Sequence, residues 1–465
     1  MNRRNTLVLL FLLLLLSALT AYGWAAGDAA GAPGKDASLD LTGSRQGQAV
    51  GFADVDGDGS DDKLVGAPFA TLSSRMGAVL VYKGDAAGYG SQPAMILTGD
   101  ENFGYTLANL GDVDGDGKGD FAVGAISGSG AEAAEASLSG TVSIYKGGSG
   151  GQLIRKLAGD GPLEKFGISL AAGDLNDDGY SDLIVGAPFH TPAPSLYQQG
   201  AVYVFMGPDF KKRTLLVAAK NSSGLGWAVA AGDMNGDGIS DLLISASGKV
   251  LGFYGGSSFA PTLNSADVTI GSSAAGFGKA MAVVGDLDGD GKKEIALGAP
   301  QATVNKQRDR GRVFIVKGGT GRRTVNLDTT PAELLCRIDG GGLFHRFGAA
   351  LSPVGDPDGD GKPGLAVGAP LADGDPNDLA GKVYFFRGKD IGPATTLAEG
   401  RSLKGMVKNQ AYGTALAAGR KGQLLIGGPG STGGTGGVAL VDVSAGDAVA
   451  GGSSGGSEGA GDTCH

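Results

Sequence analysis

A nine-residue acidic pattern recurs six times along this chain, and it constrains the fold more than any other feature. The copies begin at Asp54 (DVDGDGSDD), Asp112 (DVDGDGKGD), Asp174 (DLNDDGYSD), Asp233 (DMNGDGISD), Asp286 (DLDGDGKKE) and Asp356 (DPDGDGKPG), 53 to 70 residues apart. After each copy comes an apolar run ending in Gly66-Ala67-Pro68, Gly124-Ala125-Ile126, Gly186-Ala187-Pro188, Ser245-Ala246-Ser247, Gly298-Ala299-Pro300 or Gly368-Ala369-Pro370. Seven or eight residues before each copy stands Gln46-Gly47, Phe103-Gly104, Phe166-Gly167, Leu225-Gly226, Phe277-Gly278 or Phe347-Gly348. A seventh unit keeps the frame without the acids, as Tyr412-Gly413, then Ala417 to Arg420, then Leu424 to Pro429. Self-similarity at such a period means one supersecondary unit stacked against its neighbours.

Within a unit the pattern reads as strands. In the third, Ile168–Ala172, Asp182–Gly186, Ala201–Phe205 and a run near Thr214–Ala218 are short, apolar or β-branched, and bounded by glycine. Nothing of helical length and period intervenes. Four strands per unit and seven units predict an all-β, seven-bladed β-propeller of four-stranded blades. Glycine makes up 88 of the 465 residues. The glycines follow no three-residue period, which excludes collagen. They mark turns and crowded inner strands. Ser38–Gly43 resembles the outer strand Met95–Gly99 yet precedes every unit, so an N-terminal strand is expected to complete the last blade and close the ring.

The ends read differently. Residues 1–23 have a basic start, an apolar run from Leu7 to Leu16 and small residues up to Gly23, the pattern of a cleavable signal peptide. Residues 24–37 read as a flexible linker, 38–444 as the propeller, and 445–465 as a Gly/Ser-rich disordered tail. No second apolar stretch is long enough to span a membrane. These features predict a secreted or periplasmic protein. The two cysteines, Cys336 and Cys464, invite a disulfide in an exported chain, and the alternatives are two unpaired thiols or an intermolecular link through Cys464.

Phe-Gly, the acidic loop and Gly-Ala-Pro, repeated in order over about 400 of 465 residues, resemble the FG-GAP repeats of the integrin alpha-subunit propeller and its bacterial secreted relatives. The sequence shows no pattern of the leg domains, membrane span or inserted von Willebrand-type domain of an integrin, so none is expected in it. The resemblance implies a stand-alone propeller. It also implies acidic loops on one face and ligand-binding loops on the other.

Each loop places oxygen side chains at positions 1, 3, 5 and 9 with glycine at 6. That spacing suits a hard cation such as Ca²⁺, which takes six to eight oxygens. An EF-hand needs glutamate at position 12, but Val65, Val123, Val185, Ile244, Leu297 and Val367 stand there. The predicted ligands are Asp54, Asp56, Asp58 and Asp62; Asp112, Asp114, Asp116 and Asp120; Asp174, Asn176, Asp178 and Asp182; Asp233, Asn235, Asp237 and Asp241; Asp286, Asp288, Asp290 and Glu294; and Asp356, Asp358 and Asp360. The backbone carbonyl at position 7 completes the shell, as the resemblance also implies. About six Ca²⁺ sites are expected. The sixth is weaker, because Gly364 stands at its ninth position, and the seventh blade has none. Their predicted role is structural. Asp373–Asp378 forms a further acidic stretch, read as a solvated turn.

The formal charge of −10 argues against nucleic acid. Twenty-three of the 48 acidic residues lie in the six loops, so the acidity belongs to the metal-free chain. Catalytic signatures are missing. The three histidines are His190, His345 and His465, with no local triad, and no phosphate-cradling motif accompanies the glycine. Asn221-Ser222-Ser223 matches a glycosylation triplet. The expected ligand-face loops are Ile126–Gly140, Phe189–Gly200 (with His190, Tyr197 and Gln198), Gln301–Gly311 (with Arg308 and Arg310) and Asp339–Phe347 (with Phe344, His345 and Arg346). The chain therefore reads as a monomeric, calcium-stabilised, non-enzymatic binding or adhesion module for an extracellular protein or glycan. The competing expectation is a calcium-dependent polysaccharide lyase or a phospholipase-like hydrolase built on the propeller.

Overall fold

The structure, a computed structural model, describes residues 40–451 except 73–74, 86–87, 127–138, 149, 192–197, 219–222, 330, 373–378, 406–408, 431–435 and 445–449. The chain separates into two units, Met1–Ser38 and Leu39–His465, and the first lies outside the described residues. So do the expected signal peptide and linker, Tyr197, Asn221, Asp373–Asp378 and Cys464.

The second unit is an all-β propeller. Its regular structure, among the described residues, is β-strand with short 3₁₀ turns. The third repeat illustrates the local logic. Strands Ser169–Gly173, Asp182–Ala187, Ala201–Phe205 and Arg213–Val217 pair antiparallel in sequence order, with Val185 opposite both Leu170 and Tyr203. The two middle strands are buried along their whole length, so they are apolar on both faces. The core lies between successive sheets. Ala122, Val142 and Ile144 of the second repeat pack with Leu183, Val185 and Tyr203 of the third.

The expectation of seven separate four-stranded blades needs correcting. Five sheets of four or five strands carry the chain from Ser169 to Gly451, whereas Val50–Ala158 forms one eight-stranded sheet. Within it, Val50–Ala53, Asp62–Leu72, Arg75–Tyr82 and Met95–Thr98 pair antiparallel, and a single parallel pair, Gly77↔Phe103, joins them to the next four strands. The same kind of contact recurs as an isolated parallel bridge at Gly200↔Leu225, Gly311↔Phe347, Gly381↔Tyr412 and Gln46↔Gly436. Near Gly77 the flanking strands are long enough to include the bridge, so two sheets merge.

Ring closure also differs from expectation. Asp40 does not join the last sheet; it exchanges N–H···O bonds with Thr71 at 2.9 and 3.0 Å. Strand Asp62–Leu72 runs 11 residues, past Pro68, and so offers free backbone there. The outer strand of the last sheet is instead Ala450–Gly451, paired with Val441 and Leu440, from the stretch expected to be tail. The ring closes by packing, with Val50 and Phe52 of the first sheet against Leu425 of the last.

This geometry explains the repeat motif. The Phe-Gly aromatics Phe103, Phe166, Phe277, Phe347 and Tyr412 are buried between sheets. The glycine that follows has positive φ, +85° at Gly47, a region costly for other residues. Its N–H donates to the first residue of its own repeat's Gly-Ala-Pro, as from Gly47 to the Gly66 carbonyl at 2.9 Å. Its own carbonyl lies against the corresponding glycine of the preceding repeat, so a Cβ on Gly427 would run into the oxygen of Gly47. Phe-Gly and Gly-Ala-Pro are thus the two halves of one inter-repeat joint.

Candidate metal centres and the opposite face

In a meander of four antiparallel strands, the loops from first to second strand and from third to fourth lie at one end. The loops from second to third strand, and from one repeat to the next, lie at the other end. The acidic loops therefore occupy one face of the propeller, and the Gly-Ala-Pro and Phe-Gly loops the opposite face.

Each ninth-position acid opens the second strand of its sheet and is buried. Both of its oxygens accept backbone N–H groups. Asp62 holds Val55 at 2.9 Å and Gly84 at 2.7 Å. Asp120 holds Val113 at 2.9 Å and Gly147 at 2.8 Å. Asp182 binds Leu175 and Gly207 at 3.0 and 2.9 Å, and Asp241 binds Met234 and Gly255 at 2.7 and 2.8 Å. Glu294 repeats the pattern with Leu287 at 2.6 Å and Gly318 at 3.3 Å. This carboxylate thus ties the start of its loop to the end of the third strand. Sequence spacing could not reveal that second task.

The first-position acid organises the turn. Asp112 accepts the N–H groups of Gly115, Asp116 and Gly117 at 2.7 to 3.0 Å. The fifth-position acid accepts the seventh residue's N–H, as Asp178 does from Tyr180 at 3.0 Å. Ligand atoms of Asp54, Asp56 and Asp58 lie within 4.8 Å of one another, as do those of Asp112, Asp114 and Asp120, of Asp286, Asp288 and Asp290, and of Asp356, Asp358 and Asp360. Asp116 stands beside the second cluster, tied to Lys118 N at 3.0 Å. In the third and fourth loops Asn176 and Asn235 take the third position, each donating to Asp178 or Asp237 at 2.8 Å. Asp174 and Asp233 organise those turns as Asp112 does the second.

The donors suit a hard divalent cation on three grounds. All are oxygens. Three buried ones, Asp54 Oδ1, Asn176 Oδ1 and Asp288 Oδ1, have no hydrogen-bond partner. The charge is also uncompensated from within. Burial, aided by the neighbouring acids, raises Asp62, Asp120 and Glu294 and pushes Asp182 and Asp241 up to about 6. Lysines lie among these carboxylates. Lys146 lies 2.6 Å from Asp114 and 3.1 Å from Asp116, Lys317 lies 2.9 Å from Asp288, and Lys83 and Lys389 bond Asp56 and Asp358. The sixth loop, with Gly364, lacks the tie, and Asp356 and Asp360 hold only their own turn. The acid-free seventh repeat places Arg420 on the first loop, where its N–H donates to Asp61 at 2.6 Å.

On the opposite face, His190 has partners that no local pattern announced. Its Nδ1 lies 2.5 Å from Glu164 Oε2, and the Tyr203 hydroxyl donates to the same oxygen at 3.2 Å. All three side chains are buried, so they pin a loop rather than meet a ligand. Loops 301–311 and 339–347 do come together, through Phe344 N–H to the Arg308 carbonyl at 3.0 Å and Arg346 N–H to that of Asp309 at 2.9 Å. Phe344 is half exposed. Arg310 is spent on the Gly340 carbonyl and on Gln307 at 3.2 Å. Cys336 is a free thiol buried in the core.

The FG-GAP repeat profile matches residues 103–145, 166–205, 225–258 and 277–316. Integrin alpha-5 of Xenopus laevis is 31% identical over 220 residues, which is 44% of this chain and 20% of that protein. Integrin alpha-V of Gallus gallus is 29% identical over 353 residues, 73% of this chain and 28% of the relative. Phosphatidylinositol-glycan-specific phospholipase D of Rattus norvegicus is 30% identical over 217 residues, 42% of this chain and 25% of the relative. The chain thus spans between a fifth and a third of the length of these relatives. The chain carries FG-GAP repeats and is similar over them to integrin alpha subunits.

Proposed function

We propose that this chain is an extracytoplasmic, calcium-stabilised propeller that binds a protein or glycan ligand on the face opposite its acidic loops. The observation that carries the reading is the chemical split between the two faces. Carboxylates, lysine partners and unpartnered buried oxygens cluster at one end of the sheets; of the exposed large apolar side chains, Leu163, Trp227, Leu343 and Phe344 lie at the other end, and Leu153 and Tyr180 at the acidic one. On this reading residues 1–23 direct export, the chain from Asp40 to Gly451 builds seven repeat units with the eight-stranded sheet counting as two, and six loops hold Ca²⁺ through the oxygens named above. The ninth-position carboxylates then serve twice, holding backbone N–H groups and facing the ion.

A second reading, hydrolysis, is favoured by one finding, the similarity to a phospholipase D over a quarter of that protein's length. Glycan and protein arrays probed with and without calcium test binding. Turnover assays on a polyuronate and on a glycosylated phosphatidylinositol test catalysis. Calcium-dependent capture without turnover supports the proposal; turnover, or no capture on any array, overturns it.

A further inference from the structure

The fourth repeat departs from the others at three points, and all three fall on one cavity. Its Gly-Ala-Pro is Ser245-Ala246-Ser247, and its Phe-Gly is Leu225-Gly226 followed by Trp227. Its second and third strands are joined by Ser247 and Gly248 alone, whereas residues 188–200 and 300–311 make that connection in the third and fifth repeats. The short turn leaves a gap between longer neighbours. That gap is a cavity of about 430 Å³, lined by Trp227, Ser247, Lys279 and Gln301 and by the segment Ser272–Gly278. It falls within the size range of small-molecule sites.

Its walls carry a particular chemistry. Trp227 is 37% exposed. Phe189 meets its ring edge-on at 5.5 Å, and Lys279 Nζ lies 5.1 Å from its centroid. Lys165 Nζ lies over the Phe189 ring at 5.3 Å, so each ring of the aromatic pair carries a cation over one face and Trp227 keeps its other face for a ligand. Among the described residues neither ammonium meets a carboxylate, unlike the lysines of the acidic face. Asp328, at the edge of this wall, is occupied by Ser272 Oγ at 2.9 Å and Ser273 N–H at 2.7 Å. The Ser247 and Ser273 hydroxyls and the Gln301 amide have no protein partner among the described residues.

We propose that this cavity binds a saccharide unit bearing a carboxylate. A sugar ring offers an apolar C–H face to an aromatic platform and a rim of hydroxyls that both donate and accept. Serine and glutamine are the side chains that answer both roles, and Lys279 supplies the counter-charge. An acidic peptide fits less well. The outer edge of this sheet, Val268–Gly271, is already paired with Arg323–Asn326, which blocks strand addition, and no arginine fork lines the cavity. The inference rests on the ligand-face reading above and names its site.

Calorimetry on the full-length, calcium-loaded protein tests it with three probes: a glucuronate disaccharide, a neutral glucose disaccharide and N-acetylglutamate amide. The expected result is saturable binding of the uronate, about tenfold tighter than of either other probe, and weakened about tenfold by W227A and by K279Q. K211Q, at an exposed turn on the other face, leaves it unchanged. Lys279 is exposed, so K279Q keeps the test valid if W227A melts early. Uronate binding that is absent, or unaltered in both variants, overturns the proposal, as does tighter binding of the glutamate probe. An array ligand retained by W227A and K279Q overturns this cavity while leaving the broader reading intact.

Discussion

Asp61 of the first repeat accepts the backbone N–H of Arg420 at 2.6 Å, and the Arg420 guanidinium lies 3.3 Å from its second oxygen. These residues belong to the first and last repeats, so the contact helps close the ring. Asp61 is the eighth residue of its loop and outside the predicted ligand set. Asp61→Ala is therefore expected to lower stability by about 1 kcal/mol. The loss should be equal with calcium and with chelator. Denaturant unfolding under both conditions measures it, and a loss confined to calcium would instead make Asp61 a ligand.

The joint between Gly47 and Gly427 gives a sharper test. A methyl group on Gly427 has no space beside the Gly47 carbonyl, whereas one on Gly392 meets nothing within 4 Å. Gly427→Ala should cost about 2–4 kcal/mol by overpacking, while Gly392→Ala should be neutral or slightly stabilising. Thermal melts of the two variants decide. Equal melts would show that the closing joint is slack.

Such joints explain which parts of the fold were legible in the sequence. Phe-Gly, the acidic loop and Gly-Ala-Pro are backbone contacts that few residues satisfy, so their letters repeat and the propeller can be read from them. Outer strands are satisfied by any short apolar run. Nothing in Ser38–Gly43 says that Asp40 pairs with Thr71, because that depends on how far the hairpin runs past Pro68. Arg323–Asn326, an added parallel strand on the sheet of the fourth repeat, was hidden for the same reason. His190 and Glu164 are 26 residues apart and meet only in the fold. In the candidate metal centres the spacing located the oxygens but not the backbone duty of the ninth residue.

Cys336 makes a pH prediction. The thiol is 3% exposed, and burial pushes its pKa up to about 12 from 9.0. The fold therefore favours the protonated form. Its contribution to stability is full below about pH 9 and is lost as pH rises toward about 12. The thiolate is the reactive species. Native protein at pH 8 should leave Cys336 unalkylated by iodoacetamide, and denatured protein should be labelled fully. Peptide mass mapping distinguishes the two, and rapid native labelling would mean that this sheet opens.

The acidic loops separate calcium from scaffold. At Kd ~10⁻⁴ M and ~1 mM calcium each site would add about 1.4 kcal/mol, so six would rival the stability of an ordinary domain. Chelation should therefore lower the melting temperature by several degrees. Substitutions should then divide by position. Asp178→Asn removes a negative charge from a predicted site and gives up the Asn176 contact while keeping an acceptor for the Tyr180 N–H, so it should weaken chiefly the calcium-dependent increment. Asp182→Ala strands the N–H groups of Leu175 and Gly207, at about 1–3 kcal/mol each, and should destabilise the protein in chelator as well. Paired melts of the two variants, with and without chelator, read the difference. If Asp182→Ala proved harmless in chelator, the ninth carboxylate would be a ligand alone and the hydrogen bonds around it incidental.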